Sequence, residues 1–242
     1  MRLILDAPFT PRSRRTGAEV LDDPACPPAL RQRSITDVTR ANRLLGGMRA
    51  VLAELRLLLP SLAGLQREVT LLDVGTGLGD IPAAARRLAA RHGVTLRAIG
   101  LDEAASLTRA SGDRLDAGVC ADARAMPFAS GSIDVVTCSQ VLHHFDADAA
   151  VQLVAEMDRV ARCSVIVSDL RRSWLAAGGL WVVSFPMGFH PVSRADGMLS
   201  VLKGFTATEL ATLVRRATGA RIDVAHRLGW RLTAQWAPRG RG

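Results

Sequence analysis

The 242-residue chain has no tyrosine, and Lys203 is its only lysine. Both gaps bear on the net charge of +8, which by itself invites a nucleic-acid reading. Single-stranded nucleic acid is held by basic grooves interleaved with aromatic rings. Here aromatics make up 4% of the residues and do not alternate with the basic ones. The positive charge is nearly all arginine and is spread along the chain. Its one dense group, Arg12, Arg14 and Arg15, lies in a proline-containing N-terminal segment. A solvated basic surface is favoured over a nucleic-acid site.

Cysteine is sparse and scattered. Cys26, Cys120, Cys138 and Cys163 form no C-x-x-C pair, and the last three fall in or beside apolar stretches. That excludes a disulfide framework and the usual zinc spacings, and fits buried thiols in a reducing cytosol. No metal-binding acid cluster stands out, so metal-independent chemistry is expected. Long apolar runs are missing too. The N-terminus lacks an apolar signal region, and the low-charge run from Trp174 to Phe189 is too short to span a bilayer and contains Pro186. The expectation is a cytoplasmic protein with no membrane span.

The chain does contain Leu71-Leu72-Asp73-Val74-Gly75-Thr76-Gly77-Leu78-Gly79-Asp80. An apolar run gains a carboxylate, turns through three alternating glycines and enters a helix. Such a turn brings backbone close to a ligand at the carboxyl end of a parallel strand. A P-loop would end in Gly-Lys-Ser/Thr, and a dinucleotide loop would read G-x-G-x-x-G. This loop reads G-x-G-x-G between two acids, Asp73 and Asp80. Flanking carboxylates suit a ligand with an amine or a positive charge and no phosphate.

At these residues the sequence resembles the class I S-adenosylmethionine-dependent methyltransferases, whose first motif is D-x-G-x-G-x-G. Later stretches extend the resemblance. Thr95–Asp102 reads as a second strand ending in an acid, a suitable acceptor for ribose hydroxyls. Gly118–Ala123 reads as a third strand. In the resembled family its Asp122 sits beside the adenine. Met126-Pro127-Phe128 and Ser132–Gln140, followed by Val141-Leu142-His143-His144-Phe145, look like the third and fourth motifs. The resemblance implies that S-adenosylmethionine is the cofactor and S-adenosylhomocysteine the product. It implies cofactor contacts from Asp73, Gly75, Gly77, Gly79 and Asp102. Glu103, Asp122, Ala123, Ser139 and Gln140 complete that set.

The resemblance also implies an α/β fold, a doubly wound, mostly parallel seven-stranded sheet with helices on both faces and an antiparallel C-terminal hairpin. Three parts follow: an irregular, loosely draped arm over 1–29, a helical lid over 30–66, and the methyltransferase domain over 67–242. A substrate-pocket insertion is expected at about 173–205. In the lid, helices are expected over Leu30–Leu45 and Met48–Leu59, the second ending at Pro60. Asn42 and Arg43 are candidates for the methionine carboxylate. Asp80 is placed to cap the next helix. Two last strands are expected near Arg221–Ala225 and Arg231–Trp236.

His143 and His144 follow the fourth strand, at the edge where donor and acceptor meet. An imidazole titrates near neutrality and suits a general base, although the tetrad can equally close the pocket. Asp169-Leu170-Arg171-Arg172 follows the fifth strand, where Arg171 is a candidate to hold the acceptor. Trp174–Phe189 carries no charge and reads as an apolar wall, a lid or a homodimer face. His190 and Arg194 flank it as candidate polar contacts. The place after the fourth strand reads Ser139-Gln140-Val141-Leu142, not the Asn/Asp-Pro-Pro-Tyr/Phe of amino-group methyltransferases. The expected acceptor is therefore an apolar, aromatic or polyketide-derived small molecule methylated at oxygen. C-methylation of a quinol, an RNA-directed enzyme and a non-catalytic cofactor-binding protein are the alternatives.

Overall fold

Val69–Val74 (β1) is apolar on both faces because it runs through the middle of a sheet with helices on either side. The computed structural model describes residues 9–20, 23 and 25–239. Parallel to β1 lie Leu96–Asp102 (β2) on one side and Ile133–Ser139 (β4) on the other. Ala117–Cys120 (β3) continues beyond β2, and Ala161–Leu170 (β5) beyond β4. Arg231–Trp236 (β7) then pairs antiparallel with β5, and Val224–Arg227 (β6) antiparallel with β7. The order is β3-β2-β1-β4-β5-β7-β6. The direction of winding reverses between β1 and β4, so the crevice beyond their carboxyl ends is where such a sheet binds ligands.

Strand alternation assigns the two halves of the core. Leu71, Val135 and Ile166 pack with Gly47–Ala63 (α2) and Asp80–Ala90 (α3), through Val51, Leu55, Leu59, Ile81 and Leu88. Their neighbours Leu72, Val136 and Val165 pack with Ala147–Val160 (α5) and Ala207–Thr218 (α8), through Leu153, Met157, Leu210 and Val214. Asp146 caps α5 as expected, and Thr206 with Glu209 closes a capping box on α8.

Several boundaries differ from the sequence expectation. α2 runs through Pro60 to Ala63. Proline there forfeits one hydrogen bond of the last turns, and burial of Leu59 and Leu62 on either side of it holds the helix on. Gly79, not Asp80, is the N-cap of α3, and it makes no side-chain cap bond. β6 begins three residues later than expected, because its register on β7 runs from Val224↔Ala234 to Arg227↔Arg231 around the turn 228–230.

Of the two helices of the expected lid, parted at Leu45-Gly46, Pro28–Leu44 (α1) borders the cavity at the carboxyl edge of the sheet and α2 packs on the sheet. The hairpin turn 228–230 packs against that joint. Gly229 has a φ of +75°, and a β-carbon on it would overlap the Leu45 carbonyl. Trp174–Ser184 (α6) and Pro191–Lys203 (α7) pair with each other above β5.

The expected loose arm is held down over residues 9–20. Arg14 donates from Nε to the Lys203 carbonyl and from Nη2 to the carbonyls of His143 and Phe145, and it stacks 4.3 Å over Phe205. Arg172 donates to the Pro11 carbonyl, and Val20 N–H to Asp196. Guanidinium groups with several donors satisfy carbonyls that the His-His turn and a helix end leave open. Residues 1–8 of the expected arm lie outside the described residues.

Candidate active site

A cavity of about 1080 Å³ opens at the carboxyl edge of β1, β2 and β4 and runs under α1, α6 and the 228–230 turn. That volume is large for a single small-ligand site, whose usual upper range is about 1,000 Å³. One wall is the glycine loop. Gly75 has a φ of +68°, and a β-carbon on it would overlap the Val141 side chain. The loop is pinned to β2 by Gly77 N–H, which donates to Asp102 Oδ2 at 3.0 Å. Ala104 N–H donates to the other Asp102 oxygen at 3.0 Å. Burial raises the Asp102 carboxyl, and those two N–H groups oppose the rise.

Of the expected cofactor residues, Gly75, Gly77, Asp102, Glu103, Asp122, Ala123, Ser139 and Gln140 line the cavity. Asp73 and Gly79 do not. Asp73 points back into the sheet, where the Thr137 hydroxyl on β4 donates to it at 2.7 Å. Burial pushes its carboxyl up to about 7. Gly79 packs between loop and helix, where a β-carbon would crowd Ser111, Arg114 and Leu115. The Asp122 carboxylate is bound by Arg124, which holds it below the usual carboxylate range. Gln140 takes a φ of +58° and bonds Asn42 through its amide nitrogen, while its oxygen accepts from Arg231 at 3.2 Å. Burial lowers the Arg231 guanidinium to about 10.

At the opposite wall His143 and His144 lie in a short 3-10 turn, Leu142–His144. His143 is buried, and its Nδ1 lies 2.7 Å from Asp169 Oδ1 on β5. The turn is fixed a second time, because His143 N–H donates to Asp169 Oδ2 at 3.2 Å. Burial lowers the imidazole, although Asp169 pulls the other way. Burial alone would raise Asp169, and attraction to His143, with hydrogen bonds from His143 and from Leu170 N–H, holds it low. The pair is therefore a neutral imidazole donating Nδ1–H to a carboxylate, with the Nε2 lone pair left over. Glu19, delivered by the arm, lies beside them. Its Oε1 is 3.8 Å from His144 Nδ1 and 3.1 Å from Lys203 Nζ. Glu19, His143 and His144 each bring a potential metal-ligand atom within 4.8 Å of the others. Lys203 already supplies a cation to that carboxylate.

The family described as "Methyltransferase domain" matches residues 72–166, which run from β1 into β5. Among solved structures, a S-adenosylmethionine-dependent methyltransferase from Aquifex aeolicus superposes with a TM-score of 0.59 at 15% identity, covering 84% of this chain and 96% of that one. The magnesium protoporphyrin IX methyltransferase of Synechocystis, solved with S-adenosylhomocysteine, gives 0.55 at 14% identity, covering 83% and 86%. The plantazolicin methyltransferase, in complex with a triazolic desmethyl analogue and S-adenosylhomocysteine, gives 0.59 at 17% identity, covering 81% and 73%. No curated protein matches. The chain carries a methyltransferase domain in the fold of the class I S-adenosylmethionine-dependent enzymes.

The cavity of this methyltransferase fits its cofactor on physical grounds. Thr76 Oγ1, Asp80 Oδ2 and Ser139 Oγ line it, are buried, and have no partner among the described residues. Buried polar atoms left open in this way call for a polar ligand. Asp80 is available because Gly79 takes the cap position instead.

Three expected acceptor contacts lie outside the cavity lining. Arg171 points across the sheet edge to His226 Nδ1 at 3.1 Å. His190 caps α7, accepting from Val192 N–H, while its own N–H donates to Asp37. Arg194 folds back on the Phe189 carbonyl and lies 4.1 Å over the Phe185 ring. Asn42 lines the cavity and Arg43 does not. Sequence reading missed Glu19, Asp37 and Arg231 as lining residues and Asp169 as the partner of His143. Asp169 had a signal in its place at the end of the fifth strand. Glu19, in a proline-punctuated arm, had none.

Proposed function

We propose that the methyltransferase transfers a methyl group to the oxygen of an apolar, aromatic or polyketide-derived small molecule, with His143 as general base. The observation that carries this reading is the buried His143–Asp169 pair facing a cavity roomy enough for cofactor and acceptor together. S-adenosylmethionine supplies an electrophilic methyl group on a positively charged sulfur. Asp102 and Glu103 suit its ribose hydroxyls, and the open Asp80 oxygen suits its amino group. Asp122, Ala123, Ser139 and Gln140 wall the adenosine side.

The chain's own part is to align, to dry and to deprotonate. The lid and α6 exclude water from the reacting atoms, and the cavity holds the acceptor in line. Neutral His143 accepts the hydroxyl proton at Nε2, and Asp169 stabilises the imidazolium that forms. His144, stacked 4.3 Å from the His143 ring, borders the acceptor space. A cytoplasmic setting in secondary metabolism agrees with this reading. A quinol methylated at carbon is the second reading, because the same base would serve an ionised ring.

The test has two stages. Calorimetry with S-adenosylmethionine and S-adenosylhomocysteine on wild type and Asp102→Ala measures the cofactor site. Methyl uptake by a panel of phenols and quinols, with products located by mass spectrometry and NMR, then distinguishes oxygen from carbon. Uptake only by RNA or protein would overturn the proposal.

A further inference from the structure

Five large apolar side chains line the cavity and are also exposed at its rim: Val38 and Leu44 on α1, Val183 on α6, Leu228 and Trp230 on the hairpin turn. The exposure continues outward on α6 and its C-cap, where Trp174, Leu175, Trp181, Val182 and the capping Phe185 are 41–66% exposed. α6 contains no charged residue and buries only Ala176, Ala177 and Ser184. A helix apolar all round is normally covered, and a patch of this extent marks an interaction surface.

The surroundings specify what covers it. Arg31, Arg33, Arg40, Arg43 and Arg49 stand on the lid, while residues 28–50 hold a single acid, the buried Asp37. Arg33 and Arg40 donate to the carbonyls of Gly188 and Met187, which ties this basic face to the end of α6. Arg194 lies over Phe185, and Arg15 lies 5.6 Å over Trp174. Tryptophan beside arginine suits the boundary between lipid headgroups and acyl chains. A second copy would set arginines against arginines. A nucleic acid would match the charge and leave the apolar face wet.

We propose that the rim of the cavity docks on an anionic lipid bilayer, with α6 lying in the interface and the mouth turned toward the acyl chains. Among the described residues no helix is long and apolar enough to cross a membrane, so the contact is one-sided. If methyl transfer is to an apolar small molecule, as read above, this geometry lets the acceptor pass from lipid into the cavity without crossing water.

Cosedimentation of the full chain with vesicles tests the docking. Binding to phosphatidylcholine mixed with phosphatidylglycerol is expected to exceed binding to phosphatidylcholine alone by about tenfold or more, and to weaken with salt. Leu175→Glu and Val182→Glu lie off the cavity lining. Each is expected to abolish vesicle binding while leaving the S-adenosylmethionine calorimetry of the variant unchanged. Equal binding to both vesicles, or none, overturns the proposal. So does a salt-stable dimer in light scattering that Val182→Glu dissociates, or RNA binding that the two variants leave intact. No acceptor enters this assay, so its failure leaves the methyl-transfer reading standing.

Discussion

His143 Nδ1 and Asp169 Oδ1 lie 2.7 Å apart, and both side chains are buried. The carboxylate fixes the tautomer of the imidazole and stabilises the charge that proton uptake creates. Asp169→Asn keeps the shape and loses both effects. It is expected to lower kcat by about 10²–10⁴-fold, the usual span for a positioned base. S-adenosylmethionine affinity should hold within a factor of about two, since Asp169 does not line the cavity. Equal losses in kcat and cofactor affinity would point to a folding defect instead.

The pH profile follows from the direction of the His143 shift. Burial disfavours the imidazolium, so the neutral base persists below the ordinary imidazole range. The acid limb of kcat/KM is expected below about 6.5, the ordinary value. The Glu19 charge opposes that shift. Glu19→Gln should move the limb to still lower pH, because removing an anion further disfavours the cation. A limb that stays put would place Glu19 outside the electrostatics of the base.

Asp73 offers a stability test. Its folded carboxyl titrates at about 7, above the ordinary unfolded value. Between those two values the unfolded chain has released the proton and the folded chain has kept it. Stability is therefore lost as pH rises from about 4 to 7, and is flat beyond. Asp73→Asn cannot titrate. Its melting temperature relative to wild type is expected to be higher at pH 8 than at pH 4.5, by several degrees. A difference independent of pH would refute the buried, protonatable state.

Gly229→Val tests the brace between the hairpin and the lid. The φ of +75° and the overlap with the Leu45 carbonyl make any side chain costly there. The expected loss is about 1–3 kcal/mol in stability. S-adenosylmethionine affinity should fall several-fold, although residue 229 is far along the chain from the glycine loop. Unchanged affinity would mean that the lid seats itself without the hairpin.

Much of this was legible in the sequence because it is local. Alternating apolar residues, Gly75, Gly77 and the acid that ends β2 each act within one βα unit, and the two glycines and the acid line the cavity while Gly79 packs between loop and helix. Residues whose role depends on where a distant segment lands were not. Asp73 and Asp80 look equivalent around the loop, but strand alternation turns Asp73 into the sheet and the cap at Gly79 turns Asp80 outward. Arg171, His190 and Arg194 flank an apolar stretch in sequence, and each is spent elsewhere, on His226 of β6, on Asp37 of α1 and on the Phe189 carbonyl. Glu19 reaches the histidines because Arg14, Val20 and Lys203 tie the arm to elements far along the chain.

Because Gly229 closes on Leu45, the joint between α1 and α2 is braced by a turn that the ribosome delivers much later. Until then α2 rests on the sheet and α3 while the joint lacks its brace, and β5 has an open edge where β7 will pair. A growing chain can already display every residue of the glycine loop and both histidines, and still hold S-adenosylmethionine poorly. A chain shortened by the hairpin would keep the glycine loop and both histidines and lose Leu228, Gly229, Trp230 and Arg231 from the wall of their cavity.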